Sequence, residues 1–235
     1  MQKSFKRVLL KLSWEALQWN QEYWIDVRFL QDLSRKIVYL SQENELELVI
    51  VIWGWNIFRW VSGAANWLDK SQSDYMWMLA TIMNWIALWD WIESNWNEVR
   101  IMSAIDIPKV AETFIRRRAI KHLEKGRVII CVAGTGNPYF TTDSAAVLRA
   151  VELDCDIMIK WTKVDWIYDK DPVQNPDAKR FENINIGDAL WKGLKIMDQT
   201  AIALAKDERL SMFVCNINNI DKILSNEIKW TYVYA

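Results

Sequence analysis

Apolar residues along this chain follow two rhythms. Nearly continuous apolar runs of strand length occupy Arg7–Leu12, Leu46–Ile52, Val99–Ala104, Arg127–Ala133, Ile157–Lys160, Met212–Asn216 and Thr231–Tyr234. Between most of them lie Asp26–Ser41, Gln72–Ser94, Lys109–Glu124, Ser144–Leu153 and Met197–Lys206. Their apolar positions recur with the 3.6-residue period that collects side chains on one face of a helix. Strand–helix alternation of this kind predicts an α/β fold, a three-layer αβα sandwich with a mainly parallel central sheet. There is no internal repeat, low-complexity tract or linker, so residues 1–235 are expected to form a single domain. The Pro-containing stretch Asp169–Ala178 is the longest loop-like segment and is expected to form a hairpin or lid.

Composition narrows the function classes. A net charge of −1 gives no case for a nucleic-acid or membrane-surface partner. Met1–Arg7 is polar and basic, and Val8–Leu12 is a short apolar stretch broken by Lys11, so no signal peptide is expected. No apolar run approaches the ~20 residues of a membrane span. Cys131, Cys155 and Cys215 lack metal-ligand spacing and lie in or beside apolar segments. They are expected to be buried free thiols in a reducing cytoplasm. His122 falls in the charged stretch Arg116–Lys125 and is expected at the surface.

The chain holds 16 tryptophans and 7 glycines, where average usage would give roughly sixteen glycines. The tryptophans sit where glycine is expected. Trp96, in Asn95-Trp96-Asn97, stands where a glycine ends a helix. Trp166 follows Asp165 as in an Asp-Gly turn. Trp53, Trp55 and Trp60 surround Gly54 just after an apolar strand. We expect many of them to be glycine in the living protein. The codon UGA is stop in the standard code, tryptophan in some codes and glycine in others, so a UGA-glycine gene read with a UGA-tryptophan table has this appearance. The alternative is a genuinely tryptophan-rich protein with stacking surfaces for sugars or bases.

In parallel sheets ligands bind outside the carboxyl ends of the strands; three such ends carry loops of unusual chemistry, and a further segment follows another strand. Lys11 ends the first strand, before Ser13-Trp14-Glu15. It reads as a cation aimed at a transferring phosphate, the bland alternative being an edge lysine that reaches solvent. The run Trp53-Gly54-Trp55-Asn56-Ile57-Phe58-Arg59-Trp60 becomes a glycine loop once tryptophan is read as glycine. Its backbone can then approach phosphate oxygens, with Arg59 adding a fork of donors. Gly134–Asp143 follows one strand and opens a helix; helix capping accounts for one of Thr141, Thr142 and Asp143, not all three. The segment Lys160–Pro172 places Thr162, Tyr168 and Asp171 where a base and ribose would lie, a surface turn being the alternative. No Walker A pattern is present.

Together these motifs resemble the bacterial uridylate kinases of the amino acid kinase superfamily. The resemblance runs from about Arg7 to Val233 and is carried by Lys11–Leu17, Trp53–Trp60, Asp74–Thr81, Met102–Ile105 and Gly134–Asp143, with departures almost entirely at tryptophan. It implies an amino acid kinase-like fold and phosphorylation of UMP to UDP by ATP with Mg²⁺, in pyrimidine nucleotide biosynthesis. By motif, Lys11, Leu12, Ser13, Trp14, Trp55, Arg59, Thr162, Tyr168 and Asp171 fall on ATP-binding positions. Gly54, Asp74, Thr135, Gly136, Asn137, Pro138, Tyr139, Phe140, Thr141 and Thr142 fall on UMP-binding positions. Trp19, Asn20, Gln21, Glu22, Tyr23 and Trp24 match a region linked to allosteric activation by GTP in some members; GTP or UTP are the implied effectors, and a homohexamer the implied assembly.

The implied mechanism is in-line attack of the UMP phosphate on the γ-phosphorus of ATP, governed by positioning and charge neutralisation. Lys11 and Arg59 would offset the transferring charge, and Asp143 would orient Lys11 or the nucleotide-borne Mg²⁺. No metal site built wholly from protein ligands is expected. Two alternatives stay open at this point: another superfamily enzyme acting on a carboxylate or carbamate, and a non-catalytic nucleotide-binding regulator if the tryptophans are genuine.

Overall fold

A computed structural model describes residues 5–12, 27–43, 45–52, 54, 69–94, 98–162, 166–170, 172, 174–194, 196–216 and 230–235. Its elements are β1 (Arg7–Leu12), α1 (Val27–Glu43), β2 (Glu47–Ile52), α2 (Lys70–Ser94), β3 (Val99–Ser103), β4 (Glu112–Thr113), α3 (Arg116–Leu123), β5 (Val128–Val132), α4 (Thr142–Glu152), β6 (Ile157–Thr162), β7 (Ile167–Tyr168), β8 (Arg180–Phe181), β9 (Asn183–Asn185), α5 (Ile186–Trp191), α6 (Gln199–Asp207), β10 (Met212–Asn216) and β11 (Thr231–Tyr234). Nine strands form one sheet in the order β4-β3-β5-β2-β1-β6-β10-β11-β9. Every pairing in it is parallel except β10 with β11. The α/β fold with a mainly parallel sheet flanked by helices is therefore the one the strand–helix alternation predicts.

Alternation along β1 explains the three layers. Val8, Leu10 and Leu12 join one core with Leu33, Ile37 and Leu40 of α1 and Met78, Ile82 and Trp85 of α2. Leu9 joins the opposite core with Ala146, Val147 and Ala150 of α4 and Ala201, Ile202 and Ala205 of α6. Side chains two residues apart share a face, so Lys11 belongs to the α4 side. Each fully buried Leu or Ile contributes about 1.5–3 kcal/mol, so a lysine in this register needs a compensating partner.

Three local features differ from the periodicity. The helix expected over Lys109–Glu124 starts only at Arg116. Before it, Glu112 and Thr113 pair with Met102 and Ser103, and Phe114 N–H donates to the Ser103 carbonyl at 2.9 Å. The open edge of β3 thus takes this segment as a short strand. Strand β9 and helix α5 are too short for any period to announce. On either side of the stretch Asp169–Ala178, β7 and β8 pair antiparallel, as the base of the expected hairpin. Cys131 and Cys215 are buried free thiols and Cys155 is half-buried. Among the described residues no helix is long and apolar enough to cross a membrane.

Candidate active site

The chain leaves β1 toward β2 on one side and returns to β6 on the other, so the crevice at the carboxyl ends of β1 and β6 is the sheet's topological switch point. Helix α4 begins there. Its N-cap is Thr141, whose Oγ1 accepts the Asp143 and Ser144 N–H groups at 3.1 and 3.3 Å. The cap holds Asp143 in the first turn, above the two strand ends. Lys11 and Lys160 are register partners in the β1–β6 pairing. Lys11 Nζ lies 2.7 Å from Asp143 Oδ1, and Lys160 Nζ lies 2.8 Å from Asp143 Oδ2. Lys160 also donates to the Ile196 carbonyl. Burial alone would push the Asp143 carboxyl up, but the two ammonium groups hold it below the usual carboxylate range. For Lys160, burial lowers the pKa, Asp143 opposes that, and Lys11 adds to it. The result is a buried anion between two cations, next to a helix N-terminus whose backbone N–H groups favour an anionic ligand.

The loop before α4 forms the second half of the site. Ala133, Gly134, Gly136 and Tyr139 have φ of +62°, +58°, +80° and +71°. For Ala133 and Tyr139 that conformation costs about 1–2 kcal/mol each, and strained residues of this kind gather at functional sites. The strain is held by specific bonds. Thr81 Oγ1 on α2 accepts the Ala133 N–H at 2.9 Å and donates to the Met78 carbonyl at 2.6 Å. The Asp74 carboxylate accepts the Tyr139 N–H at 2.7 Å and pairs with Lys70. At Gly136 a Cβ would come within 2.8 Å of the Ala104 carbonyl oxygen, so the backbones pass too closely for a side chain. Between α2 and this loop lies a cavity of about 230 Å³, lined by Lys70, Asp74, Trp77, Met78 and Thr81 on one side and Gly134, Thr135, Tyr139, Phe140, Thr141 and Thr142 on the other. Gly54 abuts the same helix: a Cβ there would lie 2.9 Å from Thr81 N and 3.0 Å from the Trp77 carbonyl oxygen.

The model of the amino acid kinase family matches residues 6–216. The chain belongs to the amino acid kinase family. Two relatives are 51% and 47% identical: the uridylate kinases of Helicobacter hepaticus, over 91% of this chain and 90% of the relative, and of Erythrobacter litoralis, over 94% of each. Among solved structures, the UMP kinase from Ureaplasma parvum aligns with a TM-score of 0.92 at 34% identity, covering 98% of this chain and 99% of the other. The UMP kinase from Bacillus anthracis aligns at 0.91 and 32%, covering 98% and 96%.

In this amino acid kinase some of the sequence-derived candidates lie close together. Asp74, Thr135, Tyr139, Phe140, Thr141 and Thr142 line one cavity, Gly54 packs behind it, and Lys11 and Asp143 are in contact. Asn137 is exposed and, with Gly136 and Pro138, shapes the loop without lining the cavity. Leu12 is buried in the core, which leaves only its backbone for a ligand. Thr162 ends β6 and Tyr168 lies on β7, both half-buried. Ser13, Trp14, Trp55, Arg59, Asp171 and the segment Trp19, Asn20, Gln21, Glu22, Tyr23 and Trp24 lie outside the described residues. His122 is half-buried, with Nε2 3.4 Å from Glu112 and Nδ1 3.0 Å from Arg127.

Sequence reasoning gave no site role to three residues. Lys160 looks like an ordinary strand residue until its register with Lys11 is known. Thr81 sits in a helix and shows its role only through Ala133. Asp198 caps α6 by accepting the Ala201 N–H at 2.9 Å, and also accepts the hydroxyls of Thr141 and Ser144, tying α6 to the start of α4.

Proposed function

We propose that this protein transfers the γ-phosphoryl group of ATP to UMP, giving UDP and ADP in pyrimidine nucleotide synthesis. The observation that carries the reading is the Gly134–Asp143 run. Residues of the run and of α2 line a cavity of about 230 Å³, and the last residue of the run is held between Lys11 and Lys160 at the switch point of the sheet. Identity near one half to relatives named uridylate kinase supports the same substrate.

UMP occupies the cavity between Asp74 and the Thr135–Thr142 loop, its phosphate directed toward the N-terminus of α4. ATP lies over the ends of β1 and β6, against Thr162 and Tyr168, with Lys11 at the transferring group. Lys11 neutralises charge that grows on the γ-phosphoryl oxygens in the transition state. Asp143 keeps that ammonium in place, and Lys160 keeps Asp143 in place. The Asp143 carboxylate is already paired with two lysines, which fits Mg²⁺ that would arrive bound to the phosphate oxygens of ATP. Such an ion supplies charge neutralisation on the phosphate oxygens. The deciding experiment is a substrate panel with ATP and Mg²⁺. UMP is expected to be turned over in preference to CMP, because a site built on hydrogen bonds to the uracil edge leaves them unpaired with the wrong base; phosphorylation of acetylglutamate, or equal turnover of UMP and CMP, defeats the reading.

The proposal includes glycine at many of the tryptophan positions. Two observations support it: the buried indole Nε1 atoms of Trp85 and Trp161 have no hydrogen-bond partner, and Trp77 lines the UMP cavity. Genuine buried tryptophans usually bond that N–H. It also includes a homohexamer in the cytoplasm with GTP or UTP as effectors. Helix α2 leaves Leu79, Met83 and Ile86 42–54% exposed, an apolar stripe that self-association would cover.

A further inference from the structure

The hairpin that carries Tyr168 forms its own two-stranded sheet, apart from the nine-stranded one. One hydroxyl reaches both of its strands. Thr231, at the start of β11, is fully buried. Its Oγ1 accepts the Ile167 N–H at 2.9 Å and donates to the Phe181 carbonyl at 2.6 Å. Ile167 and Phe181 are register partners in the hairpin, so this single side chain closes the hairpin's base. The exit strand has further support, since Tyr232 N–H donates to the Glu182 carbonyl at 2.9 Å and Tyr232 pairs with Asn183. On the entry side, the bond from Thr231 fixes the residue immediately before Tyr168. A hydroxyl serves here as donor and acceptor at once, which valine, of the same shape, does not.

We infer that Thr231 is a positioning residue for the phosphoryl donor: its hydroxyl sets the place of β7 against the sheet and so presents Tyr168 to ATP. The inference rests on the reading that Tyr168 belongs to the ATP site. It assigns a role in donor binding to a residue of the last strand, 63 positions after Tyr168.

The test compares Thr231→Val, Thr231→Ser and Tyr168→Ala in the full-length enzyme. Losing the bond is expected to raise the KM for ATP about tenfold in Thr231→Val, with the KM for UMP and kcat within about twofold. Thr231→Ser is expected to keep the KM for ATP near that of the unaltered protein. Hydrogen exchange at the Ile167 amide is expected to quicken in the valine variant alone. If the valine variant does not fold, Thr231→Ala takes its place against Thr231→Ser. A parallel rise in both KM values means a merely structural role and overturns the inference. An unchanged KM for ATP in Thr231→Val, with a raised one in Tyr168→Ala, overturns it while leaving the ATP site on the hairpin. An unchanged KM for ATP in Tyr168→Ala removes the underlying reading, and the inference with it.

Discussion

Lys11 and Lys160 stand opposite each other across the β1–β6 pairing, and the Asp143 carboxylate separates their ammonium groups at 2.7 and 2.8 Å. The aspartate compensates the charge of both lysines on that buried face, and the two lysines compensate the aspartate.

Asp143 therefore links this site to pH. Its folded-state pKa is depressed, so its contribution to stability is fully present above the ordinary carboxylate value of about 4 and is lost as pH falls through the lower native value. Denaturant titrations of the unaltered protein and Asp143→Asn are expected to differ by about 3–5 kcal/mol at pH 7, and the gap should close on the acid side. A gap independent of pH would assign Asp143 no anionic role.

Lys11→Ala is expected to lower kcat by about 10²–10³ while changing the KM for UMP far less, because its charge matters most in the transition state. Steady-state kinetics with both substrates checks this. An unchanged kcat assigns Lys11 to structure alone.

Gly54→Ala places a Cβ 2.9 Å from the Thr81 backbone nitrogen. Backbone does not yield as a side-chain tip does, so we expect a loss of about 1–3 kcal/mol. Because Thr81 anchors Ala133 at the start of the loop proposed to bind UMP, the KM for UMP should rise as well. Thermal unfolding and UMP saturation curves measure the two effects separately.

Burial pushes the Cys131 and Cys215 thiols up to about 12, and Cys155 is also pushed up. Thiolate is the reactive form. A maleimide or iodoacetamide reagent at pH 8 is therefore expected to label none of the three cysteines in the folded protein and all of them in denaturant. Fast labelling of the folded protein would contradict the packing around β5 and β10.

Peptides spanning Val49–Arg59, taken from protein made by its own cell, are expected to carry glycine at positions 53 and 55. Peptide sequencing that finds tryptophan at both ends the decoding proposal. The literal and glycine-restored proteins, made side by side, should also differ in ATP affinity.

Much of this architecture is legible in the sequence. Apolar periodicity reports which face of an element is buried, and that was enough for the parallel sheet, for five helices and for the odd position of Lys11. The run Gly134–Asp143 carries its own chemistry in adjacent residues, so it is legible in the sequence as a loop that opens a helix. Periodicity is silent on what lies opposite a buried face. Lys160 became a site residue only through its register with Lys11, and Asp198 only because α6 begins beside Thr141 and Ser144. Thr81 and Thr231 were two ordinary threonines until folding put Ala133 and Ile167 against their hydroxyls. Short elements fell to tertiary competition too: Glu112 and Thr113 extend the helical pattern in sequence, yet the unpaired edge of β3 offers their backbone hydrogen bonds that a helix start does not. Local order is set by residues close in the chain; the ion triad and the threonine anchors are set by contacts between residues on different elements, which only the packed sheet brings together.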